Sequence, residues 1–581
     1  MHTVLIPRQN LDFMLSWLEP KLNGDELATT SAVLDVAEEL AADAFLSHYK
    51  QADQSEPRLE PDGVHVLPAI GAALRQYAEL GFFAAGFEKP LGGMGLSTLV
   101  SSAIFAQFAA ANIATSAYPM LTAANARLIA RFGSAEQIQQ FALPQIAGRW
   151  FGTMCLSEPQ AGSSLADIRM RACREGTDSL GERYLLAGNK MWISGGDQDI
   201  SENIVHLVLA KIPRADGTLA EGTKDISLFV VPKILPWGQR NDIAVAGLNH
   251  KMGYRGTANC LLNFGEAKGA VGWLIGNAGD GLHQMFHMMN EARIAVGLGA
   301  AALGYRGYMH ALHYARERRQ GRLTGLRAGP PVAIIEHVDV KRMLLAQKTY
   351  AEGALALCLF CAHLVDQEHE EGAAALLELL TPVAKTWSSE YGLAANDLAI
   401  QIHGGYGYTR DFDVEQLYRD NRLNPIHEGT TGIQALDLLG RKILRGGGAP
   451  LETVTARVTS CCDRARSHRA LEPYTHALAA AWRTVSTTVD VLRSNDAARA
   501  LDNATPFLSA FGHTIVAWLW LEQATAADQA ASTGRVTRSF AQGKQRACRY
   551  FFECELPRVY VWLNAVTSCS DVAAGASLDE F

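Results

Sequence analysis

The chain has 581 residues, and its 52 Lys and Arg residues against 60 Asp and Glu residues give a formal net charge of −8. Hydrophobic residues make up 48% and charged residues 19%, which excludes a mainly disordered chain. The mild acidic excess gives no reason to expect nucleic acid or an anionic membrane as a partner. The longest apolar runs, such as 515–521, are far shorter than the roughly 20 residues that span a bilayer, and the first residues lack a signal-peptide pattern. We therefore expect a cytoplasmic protein of roughly three to five structural units without membrane insertion.

The ten cysteines follow no spacing pattern. This favours reduced, buried thiols over a disulfide framework. Cys358 and Cys361 lie in a helical apolar run without a second Cys pair, so we interpret them as core residues and expect no metal site.

Residues 1–150 are expected to be mostly helical. Apolar residues recur at three- and four-residue spacing over 33–46, 99–111 and 123–132. A glycine-rich loop at 92–95 interrupts this pattern.

The pattern changes after residue 150. Short β-rich runs, separated by Gly- and Asp-containing turns, lie at 184–186, 204–211 and 226–231. These runs predict a compact β-domain over residues 151–272.

Long helical patterns return after residue 272. Ala- and Leu-rich segments at 285–319, 338–364 and 373–402 predict a helical bundle that ends at residue 445. The segment 445–450, Arg-Gly-Gly-Gly-Ala-Pro, predicts a linker because three glycines and a proline cannot continue a helix cheaply. Residues 446–581 then predict a separate helical domain, with 13 basic and 13 acidic residues after residue 450.

Four segments could carry chemistry: Ser-Glu-Pro-Gln-Ala-Gly-Ser-Ser (157–164), Lys-Met-Trp-Ile-Ser-Gly-Gly (190–196), Gly-Gly-Tyr-Gly (404–407) and Ile-His-Glu-Gly-Thr (426–430). The first is a turn whose N–H and hydroxyl groups could meet an anion. In the second, Trp192 either covers one face of a planar cofactor or packs in the β-domain core. The third permits close backbone approach, but without a βαβ unit it is not a dinucleotide fingerprint. In the fourth, Glu428 is either a buried base with a raised pKa or a solvated or helix-capping residue.

In this order the four segments resemble the acyl-CoA dehydrogenase family, over about residues 80–445. The strongest match is Gln-Ile-His-Gly-Gly-Tyr-Gly-Tyr-Thr-Arg-Asp (401–411), continued to Asp420 and by Ile-His-Glu-Gly-Thr-Thr-Gly-Ile-Gln (426–434). Supporting matches lie at 156–163, 190–194 and 315–320. The resemblance implies a mainly α fold with a central β-barrel domain.

The fold implied by the resemblance divides this chain into four parts. They are an N-terminal helical domain (1–150), a middle β-barrel domain (151–272), a helical bundle with the catalytic base (273–445) and an additional C-terminal helical domain (446–581).

The resemblance also implies the reaction, an FAD-dependent α,β-dehydrogenation of an acyl-CoA thioester to a trans-2-enoyl-CoA. Glu428 occupies the position of the base that removes the α-proton, while the β-carbon passes a hydride to flavin N5. In this family the backbone N–H of the base residue helps to hold the thioester carbonyl. The positions that match FAD contacts are Met154, Leu156, Ser157, Ser163, Trp192, Ser194, Arg318, Gln320, Gln401, Gly405 and Thr430. The positions that match substrate contacts are Ser163, Asn290, Arg293, His427 and Gly429.

The length of the chain points to one branch of this family. About 130 extra residues and the early segment 6–15 are similar to the branch that contains 3-methylmercaptopropionyl-CoA dehydrogenase and the broad-range bacterial fatty acyl-CoA dehydrogenases. Tyr-Arg-Gly-Thr-Ala (254–258) stands where that branch commonly has a His-Gly-Ser-Pro motif. This difference favours a general acyl-CoA substrate, with a sulfur-containing acyl-CoA as the alternative.

Other expectations also come from the resemblance. They include an electron-transfer flavoprotein as acceptor and a homodimer or a larger homo-oligomer. His427 stands where a Tyr is usual in the short-to-medium-chain branch, and we expect it to line the pocket. The alternative is that its imidazole perturbs Glu428 or contacts the thioester.

Two other members of the superfamily remain as alternatives. An acyl-CoA oxidase would share the flavin and the base but react with oxygen. A DNA-associated member would need a basic surface, for which the arginines at 464–469 and 535–549 are candidates. The balanced charge after residue 450 argues against DNA, and the alternative for these arginines is that they lie on solvated helix faces or form salt bridges to a partner subunit.

Overall fold

The computed structural model describes residues 5–20, 24–323, 325 and 328–581, except for the side chains of 287, 288, 497 and 498. Its packing separates two compact units. The first unit holds the described residues of Met1–Val33, Thr98–Ala106 and Arg293–Phe581, and the second holds Leu34–Ser97 and Gln107–Ala292. The division into four domains remains a prediction.

Helices and one hairpin occupy the first part of the chain, and a block of strands follows. Up to residue 149 they are α1 (Arg8–Leu18), α2 (Gly24–Leu40), α3 (Tyr49–Gln54), β1 (Arg58–Glu60), β2 (Gly63–His65), α4 (Pro68–Glu79), α5 (Thr98–Phe132), α6 (Ala135–Gln137) and α7 (Leu143–Ile146). The strands that follow are β3 (Trp150–Cys155), β4 (Arg171–Asp178), β5 (Gly181–Ser194), β6 (Asn203–Lys211), β7 (Ile226–Pro232), β8 (Ile243–Leu248), β9 (Asn259–Phe264) and β10 (Ala270–Leu274).

The rest of the described chain is helical. The helices are α8 (Gly281–Glu317), α9 (Val338–Asp366), α10 (Ala373–His403), α11 (Asp413–Asn421), α12 (Thr431–Leu436), α13 (Ala449–Ala465), α14 (Glu472–Arg493), α15 (Ala497–Leu501), α16 (Ala504–Ser532), α17 (Arg538–Tyr550) and α18 (Arg558–Thr567). Single π-helical turns occur at Ala41–Phe45, Ile138–Ala142, Asp437–Leu444 and Phe551–Glu555. Short 3₁₀ turns occur at Leu46–His48, Phe82–Ala84, Lys89–Leu91, Leu165–Asp167, Ile334–Glu336, Gly404–Tyr408 and Leu578–Glu580.

The second unit is built on a sheet that closes into a barrel, which confirms the predicted β-domain. Antiparallel pairs join β10 to β7, β7 to β6, β4 to β5 and β5 back to β10, and a parallel pair joins β6 to β4 at Lys211 and Arg171. The first half of β5 belongs to this ring, and its second half pairs with β9, which carries β8. Strand β3 lies parallel to β6.

Strand β6 shows why this barrel needs apolar residues on both faces of a strand. Because side chains alternate along a strand, Val205, Leu207 and Leu209 enter one core cluster, which also contains helical residues. Val208 and Ala210 enter a second cluster, shared with residues of β5 and β9. A strand that is buried on both faces appears in sequence as a continuous apolar run, as β6 does.

Helix α5 covers both helices that the sequence predicts between residues 99 and 132, with a break between them. Asn112 has extended, non-helical backbone angles within α5. Its side-chain oxygen accepts a hydrogen bond from the backbone N–H of Thr115, so it serves as a cap for the following turns. The hairpin of β1 and β2 was not predicted, and it is the part of 1–150 that departs from the helical expectation.

The helical bundle of the first unit brings backbones into close approach. A Cβ atom added to Gly304 of α8 would lie 2.9 Å from the Cα atom of Gly392 of α10, so two glycines permit this crossing. Pro382 lies inside α10 and cannot donate to the carbonyl of Glu378, four residues earlier. The Lys442 ammonium donates to that carbonyl instead. A buried lysine thus satisfies the gap that the proline leaves.

The C-terminal helices pack within the same unit as the bundle. Trp520 of α16 donates from Nε1 to the carbonyl of Thr349 in α9. Lys544 of α17 donates to Glu352 of α9 at 2.7 Å and to Gln523 of α16 at 2.9 Å. The predicted linker ends where α13 begins, with Pro450 in its first turn. A buried polar network therefore connects the added helices with the bundle.

Three helices correct the expectation that the apolar segments of the chain are too short to span a membrane. By length and composition alone, α5, α9 and α16 could cross a membrane. Their apolar windows are between 78% and 89% buried inside the protein, so these side chains form its core. Cys358 and Cys361 are buried free thiols in α9, which confirms their interpretation as core residues.

Candidate active site

Glu428 lies in the loop between α11 and α12, in an unusual backbone conformation. Its φ angle is 54°, and Gly429 follows with a φ of 91°. A left-handed residue other than glycine costs on the order of 1–3 kcal/mol and persists only where its surroundings hold it. Thr430 is the N-cap residue of α12. The interpretation of Glu428 as a helix cap is therefore excluded.

Two buried side chains hold the carbonyl groups of this loop. Gln434 of α12 donates from Nε2 to the carbonyl of Glu428 at 2.8 Å. Lys385 of α10 donates from Nζ to the carbonyl of Gly429 at 2.6 Å. A Cβ atom at position 429 would lie 2.7 Å from Gln434 Nε2, so both the space and the backbone angle require glycine.

The electrostatic environment of Glu428 suits a base. Burial raises the pKa of the Glu428 carboxyl, and the cations of Arg293 and Lys385 offset part of that rise. Burial lowers the pKa of Lys385 to about 8. Arg293 is buried and donates to Asp437 at 2.9 Å. A carboxylate whose pKa is raised is a stronger base than a solvated glutamate.

His427, directly before Glu428, ends a chain of buried asparagines. Asn421 donates to Asn396 Oδ1 at 2.7 Å, and Asn424 donates to Asn421 Oδ1 at 2.8 Å. Because the amide of Asn424 is a donor in this chain, its Oδ1 accepts from His427 Nε2 at 3.1 Å. Burial, together with Lys385, lowers the pKa of His427 to about 3. The imidazole is therefore neutral at neutral pH, with its proton on Nε2.

Replacing His427 by Gln is expected to leave the acid limb of the pH–rate profile in place. Since His427 is already neutral above its lowered pKa, removing it takes no charge away from Glu428. In the reaction that the resemblance implies, the rate of flavin reduction by an acyl-CoA, measured from mildly acidic to alkaline pH, checks this. A displaced acid limb would show that the His427 charge acts on the base.

In the second unit, Trp192 projects from a bulge of β5. The register of β5 against β9 shifts between Lys190 and Ile193, and Trp192 has a φ of 66°. Its side chain is 58% exposed, which excludes the alternative of a core tryptophan. The backbone N–H of Met191 donates to the carbonyl of Ser157 at 3.0 Å. The segment after β3 and the bulge that carries the exposed indole are therefore neighbours, as a planar cofactor would require.

Other predicted FAD positions of this unit lie on the same two segments. Met154 is half-buried in β3, and Leu156 and Ser157 follow directly, also half-buried. Ser194 ends β5 and accepts a hydrogen bond from Asn259 at 3.2 Å. Ser163 is exposed in the loop after β3.

A buried ion pair positions that loop. Glu158 accepts from the Lys190 ammonium at 3.0 Å and from the backbone N–H groups of Arg169 and Met170. Burial alone would raise the pKa of Glu158, and these donors lower it instead. Lys190 also donates to the carbonyl of Leu156 at 3.0 Å. The Glu158–Lys190 pair, which sequence reasoning missed, thus ties the loop to the bulge of Trp192.

The predicted FAD positions of the first unit lie on exposed backbone. Arg318, Gln320, Gln401 and Gly405 are all exposed. The Arg318 guanidinium lies 6.0 Å from the ring centroid of Tyr406, and no atom lies within 4 Å of a Cβ atom added to Gly405. An exposed guanidinium suits a pyrophosphate group. These residues fit FAD.

The two remaining predicted positions, Thr430 and Asn290, lie at the start of α12 and within α8. Thr430 is exposed at the start of α12, and its carbonyl accepts from the backbone N–H of Gln434. Asn290 is half-buried in α8, which also carries Arg293. Within the first unit, the structure brings together Glu428, Arg293, His427, Gly429 and Lys385, of which the sequence did not single out Lys385.

One surface cluster has the composition of a metal site. Ligand atoms of Glu60, Asp62 and His65 lie within 4.8 Å of one another. Both ring nitrogens of His65 already meet carboxylates, at 2.9 Å to Asp62 and 2.8 Å to Asp199. These hydrogen bonds raise the pKa of His65 to about 9, so the imidazole is protonated at neutral pH. We interpret the cluster as an ion-pair network.

Comparisons with known proteins cover almost the whole chain. The acyl-CoA dehydrogenase models match for the N-terminal domain at residues 28–149, the middle domain at 153–267 and the C-terminal domain at 279–444. A further model, described as acetyl-CoA dehydrogenase C-terminal like, matches residues 454–576.

Two similar curated proteins match over nearly their whole length. The 3-methylmercaptopropionyl-CoA dehydrogenase of Ruegeria pomeroyi is 34% identical over 541 residues, which is 90% of either chain. The broad-specificity linear acyl-CoA dehydrogenase FadE5 of Mycobacterium tuberculosis is 33% identical over 564 residues, 92% of this chain and 91% of FadE5.

Solved structures are similar in fold. Caenorhabditis elegans ACDH-11 in complex with C11-CoA superposes with a TM-score of 0.82 at 20% identity, covering 100% of this chain and 97% of its own. An acyl-CoA dehydrogenase of Bacillus anthracis complexed with FAD has a TM-score of 0.74 at 20% identity, covering 93% and 88%.

Proposed function

Because the chain belongs to the acyl-CoA dehydrogenase family, we propose that Glu428 is the base of its reaction. That reaction is the FAD-dependent dehydrogenation of an acyl-CoA thioester to a trans-2-enoyl-CoA. One observation carries the assignment of the base. The Glu428 carboxyl has a pKa raised by burial, on a loop whose two carbonyl groups are held by buried side chains.

The chemistry explains why a base of this kind is needed. The hydrogen on the carbon next to a thioester carbonyl is only weakly acidic, and a dry pocket makes a carboxylate a stronger base toward it. Glu428 takes this hydrogen as a proton. FAD, when bound, accepts the hydride that leaves the β-carbon. The buried cation of Arg293 offsets the cost of keeping the Glu428 carboxylate ionised before the proton is taken.

We assign the exposed indole of Trp192 to one face of the flavin ring, beside Ser194. In the same way we assign Arg318, Gln320, Gln401 and Gly405 to the pyrophosphate and adenosine part of FAD. These assignments are supported by the strained bulge that exposes Trp192 and by the exposed guanidinium of Arg318.

Replacing Trp192 by Ala is expected to weaken FAD binding roughly 2- to 10-fold, since an aromatic stacking contact contributes about 0.5–1.5 kcal/mol. Titration of the apoprotein with FAD, followed by flavin fluorescence, measures this change. Trp237 is also exposed in the second unit and provides the control, because its substitution by Ala removes an indole of similar exposure. Equal FAD affinity in both variants would contradict the assignment of Trp192.

For the substrate, we propose a linear acyl-CoA, with 3-methylmercaptopropionyl-CoA as the second candidate. The similar proteins named above act on these two classes, as their names state. Tyr254 to Ala258, in place of a His-Gly-Ser-Pro motif, argues against the sulfur compound and for a general acyl-CoA. Values of kcat/KM for straight chains of several lengths, branched chains and the sulfur compound separate the candidates. A higher kcat/KM for the sulfur compound than for every straight chain would reverse this order.

The electron acceptor we propose is an electron-transfer flavoprotein, and the assembly is a homodimer or a larger homo-oligomer. The exposed FAD positions and the Tyr408 ring, which is 90% exposed, support a partner subunit at this surface. Oxygen consumption equal to the rate of acyl-CoA turnover would indicate an oxidase instead. Light scattering on the purified protein measures the oligomeric state, and a monomer would contradict the assembly.

The cell compartment we propose is the cytoplasm. Free thiols at all ten cysteines support a reducing compartment. The arginines that could have formed a DNA-binding surface are in part paired, as Arg464 is with Glu522 and Arg549 with Glu553. We therefore propose no nucleic-acid partner.

A further inference from the structure

The loop that carries Glu428 is strained, and two side chains from different helices hold it. Glu428 and Gly429 are successive residues with positive φ. Gln434 donates to the first carbonyl and Lys385 to the second. Both donor side chains are fully buried. We call these two hydrogen bonds the carbonyl clamp.

We infer that Lys385 and Gln434 are positioning residues for the proposed reaction: through the carbonyl clamp they hold the backbone from which the Glu428 carboxylate reaches the substrate. This inference rests on the proposed role of Glu428. Neither residue touches the reacting atoms, and each acts through the direction that it gives to the base.

The geometry of the loop explains why a clamp is needed. The peptide plane after Glu428 sets its ψ angle, and the carbonyl in that plane is the one that Gln434 holds. The next carbonyl, held by Lys385, fixes Gly429, whose φ is accessible only to glycine at low cost. Without these two donors the loop would relax toward common backbone angles. Such relaxation would turn the Cα–Cβ bond of Glu428 away from its position.

The choice of a lysine adds a second effect. An uncharged donor could hold the carbonyl of Gly429, but the Lys385 cation also lowers the pKa of Glu428. The charged and titratable groups around Glu428 are Arg293 from α8, with its partner Asp437, Lys385 from α10 and the neutral His427. Glu390 of α10 interacts with Lys385. Lys385 is therefore both a hydrogen-bond donor and a charge, and substitutions can separate the two roles.

The test uses three variants of the holoenzyme. Lys385→Met removes both the donor and the charge, Lys385→Gln retains a donor without the charge, and Gln434→Leu removes the other donor without changing the charge. For each variant we would measure the limiting rate of anaerobic flavin reduction by a linear acyl-CoA across a range of pH. Acyl-CoA affinity, FAD content and Tm would be measured in parallel.

Lys442 provides a matched control. It is also buried, its pKa is also lowered to about 8, and it also donates to a main-chain carbonyl of the bundle. That carbonyl belongs to Glu378 of α10, outside the Glu428 loop. Lys442→Met therefore reproduces the loss of a buried lysine without loss of the carbonyl clamp.

The carbonyl clamp predicts different results for these variants. In Lys385→Met and Gln434→Leu, the limiting rate at alkaline pH falls roughly 10- to 100-fold, on the scale reported for a 1 Å misplacement. The acyl-CoA affinity stays near that of the wild type. In Lys385→Gln, the limiting rate is largely retained, but the acid limb moves to higher pH because the charge is gone. Lys442→Met lowers Tm and leaves the limiting rate at alkaline pH in place.

Two results would overturn the inference. One is a Lys385→Met enzyme that reaches the wild-type rate once the pH is high enough, together with an unimpaired Gln434→Leu enzyme. The other is a loss in Lys442→Met equal to that in Lys385→Met. If Lys385→Met does not fold, the results for Lys385→Gln and Gln434→Leu still test the inference. Glu428→Gln is assayed alongside: a retained rate there would refute the proposed function itself, whereas its loss with normal clamp variants would refute only the inference.

Discussion

Replacing Glu428 by Gln is expected to lower the rate of flavin reduction by acyl-CoA roughly 10³-fold, within the range that a positioned general base contributes. The amide has nearly the shape of the carboxylate but cannot accept the α-proton. FAD and acyl-CoA should still bind. Anaerobic rapid mixing, followed in the visible flavin band, measures the rate, and equilibrium titration measures both affinities.

Glu428→Gln is expected to lower the rate without lowering the stability of the fold. A loss of rate caused by the missing base can therefore be distinguished from damage to the fold. Because the pKa of Glu428 is raised in the folded state, ionisation destabilises that state as the pH rises above the carboxyl's ordinary range. Glu428→Gln removes this penalty, so its Tm at neutral pH should equal or exceed that of the wild type.

The control for this prediction is Glu390→Gln. Glu390 is an exposed carboxylate of α10. It accepts a hydrogen bond from Thr431, which directly follows the loop that carries Glu428. This variant should reduce its flavin at the wild-type rate. A Glu428→Gln protein that still bleaches at the wild-type rate would remove Glu428 from the role of base.

Replacing Glu352 by Gln is expected to lower the free energy of unfolding by about 3–5 kcal/mol, the cost of breaking a buried ion pair from one side. Glu352 is 2% exposed and meets two lysines, Lys348 from the same helix and Lys544 from α17. Tyr305 also donates to Glu352 at 3.3 Å, and Asn10 of α1 donates to Tyr305. The glutamine would leave two ammonium groups without their carboxylate.

The pH dependence of stability follows from the same group. Burial alone would raise the pKa of Glu352, but Lys348 and Lys544 lower it to about 2. A lowered pKa in the folded state means that Glu352 stabilises the protein above its ordinary pKa of 4.5. This contribution is lost as the pH falls from there toward 2. Denaturant unfolding at neutral and at acidic pH measures both effects.

Two controls accompany Glu352→Gln. Glu553→Gln breaks an exposed pair with Arg549 and should cost no more than about 1 kcal/mol. The double variant Glu352→Gln/Lys544→Met should lose less stability than the sum of its single variants, because it removes both members of the pair. A loss of unfolding free energy in Glu352→Gln no larger than that in Glu553→Gln would contradict this prediction.

Local patterns were enough to predict much of the fold. The apolar run at 204–211 corresponds to β6, and the helical runs at 338–364 and 373–402 correspond to α9 and α10 within two residues at either end. The apolar runs by themselves do not predict that the sheet closes into a barrel. Closure depends on β10, which pairs with both β5 and β7, and no local pattern specifies which distant strands a five-residue segment joins.

The site was predicted where its residues lie together in sequence. Glu428, His427 and Gly429 form one segment, and the structure supports a buried carboxyl with a raised pKa there. Lys385 was missed because it precedes Glu428 by more than 40 residues, and a lysine in an apolar helix gives no sign of its partner. The only local sign is Pro382, which marks a place where α10 departs from regular hydrogen bonding.

The most direct test of the central claim is anaerobic mixing of the purified FAD-bound protein with linear acyl-CoAs of several lengths. The visible flavin band and the mass of the thioester product are followed together. We predict that the flavin band bleaches and that each reduced flavin corresponds to one enoyl-CoA, two hydrogens lighter than its substrate. A flavin that stays oxidised with every acyl-CoA, although the thioesters bind, would contradict this prediction.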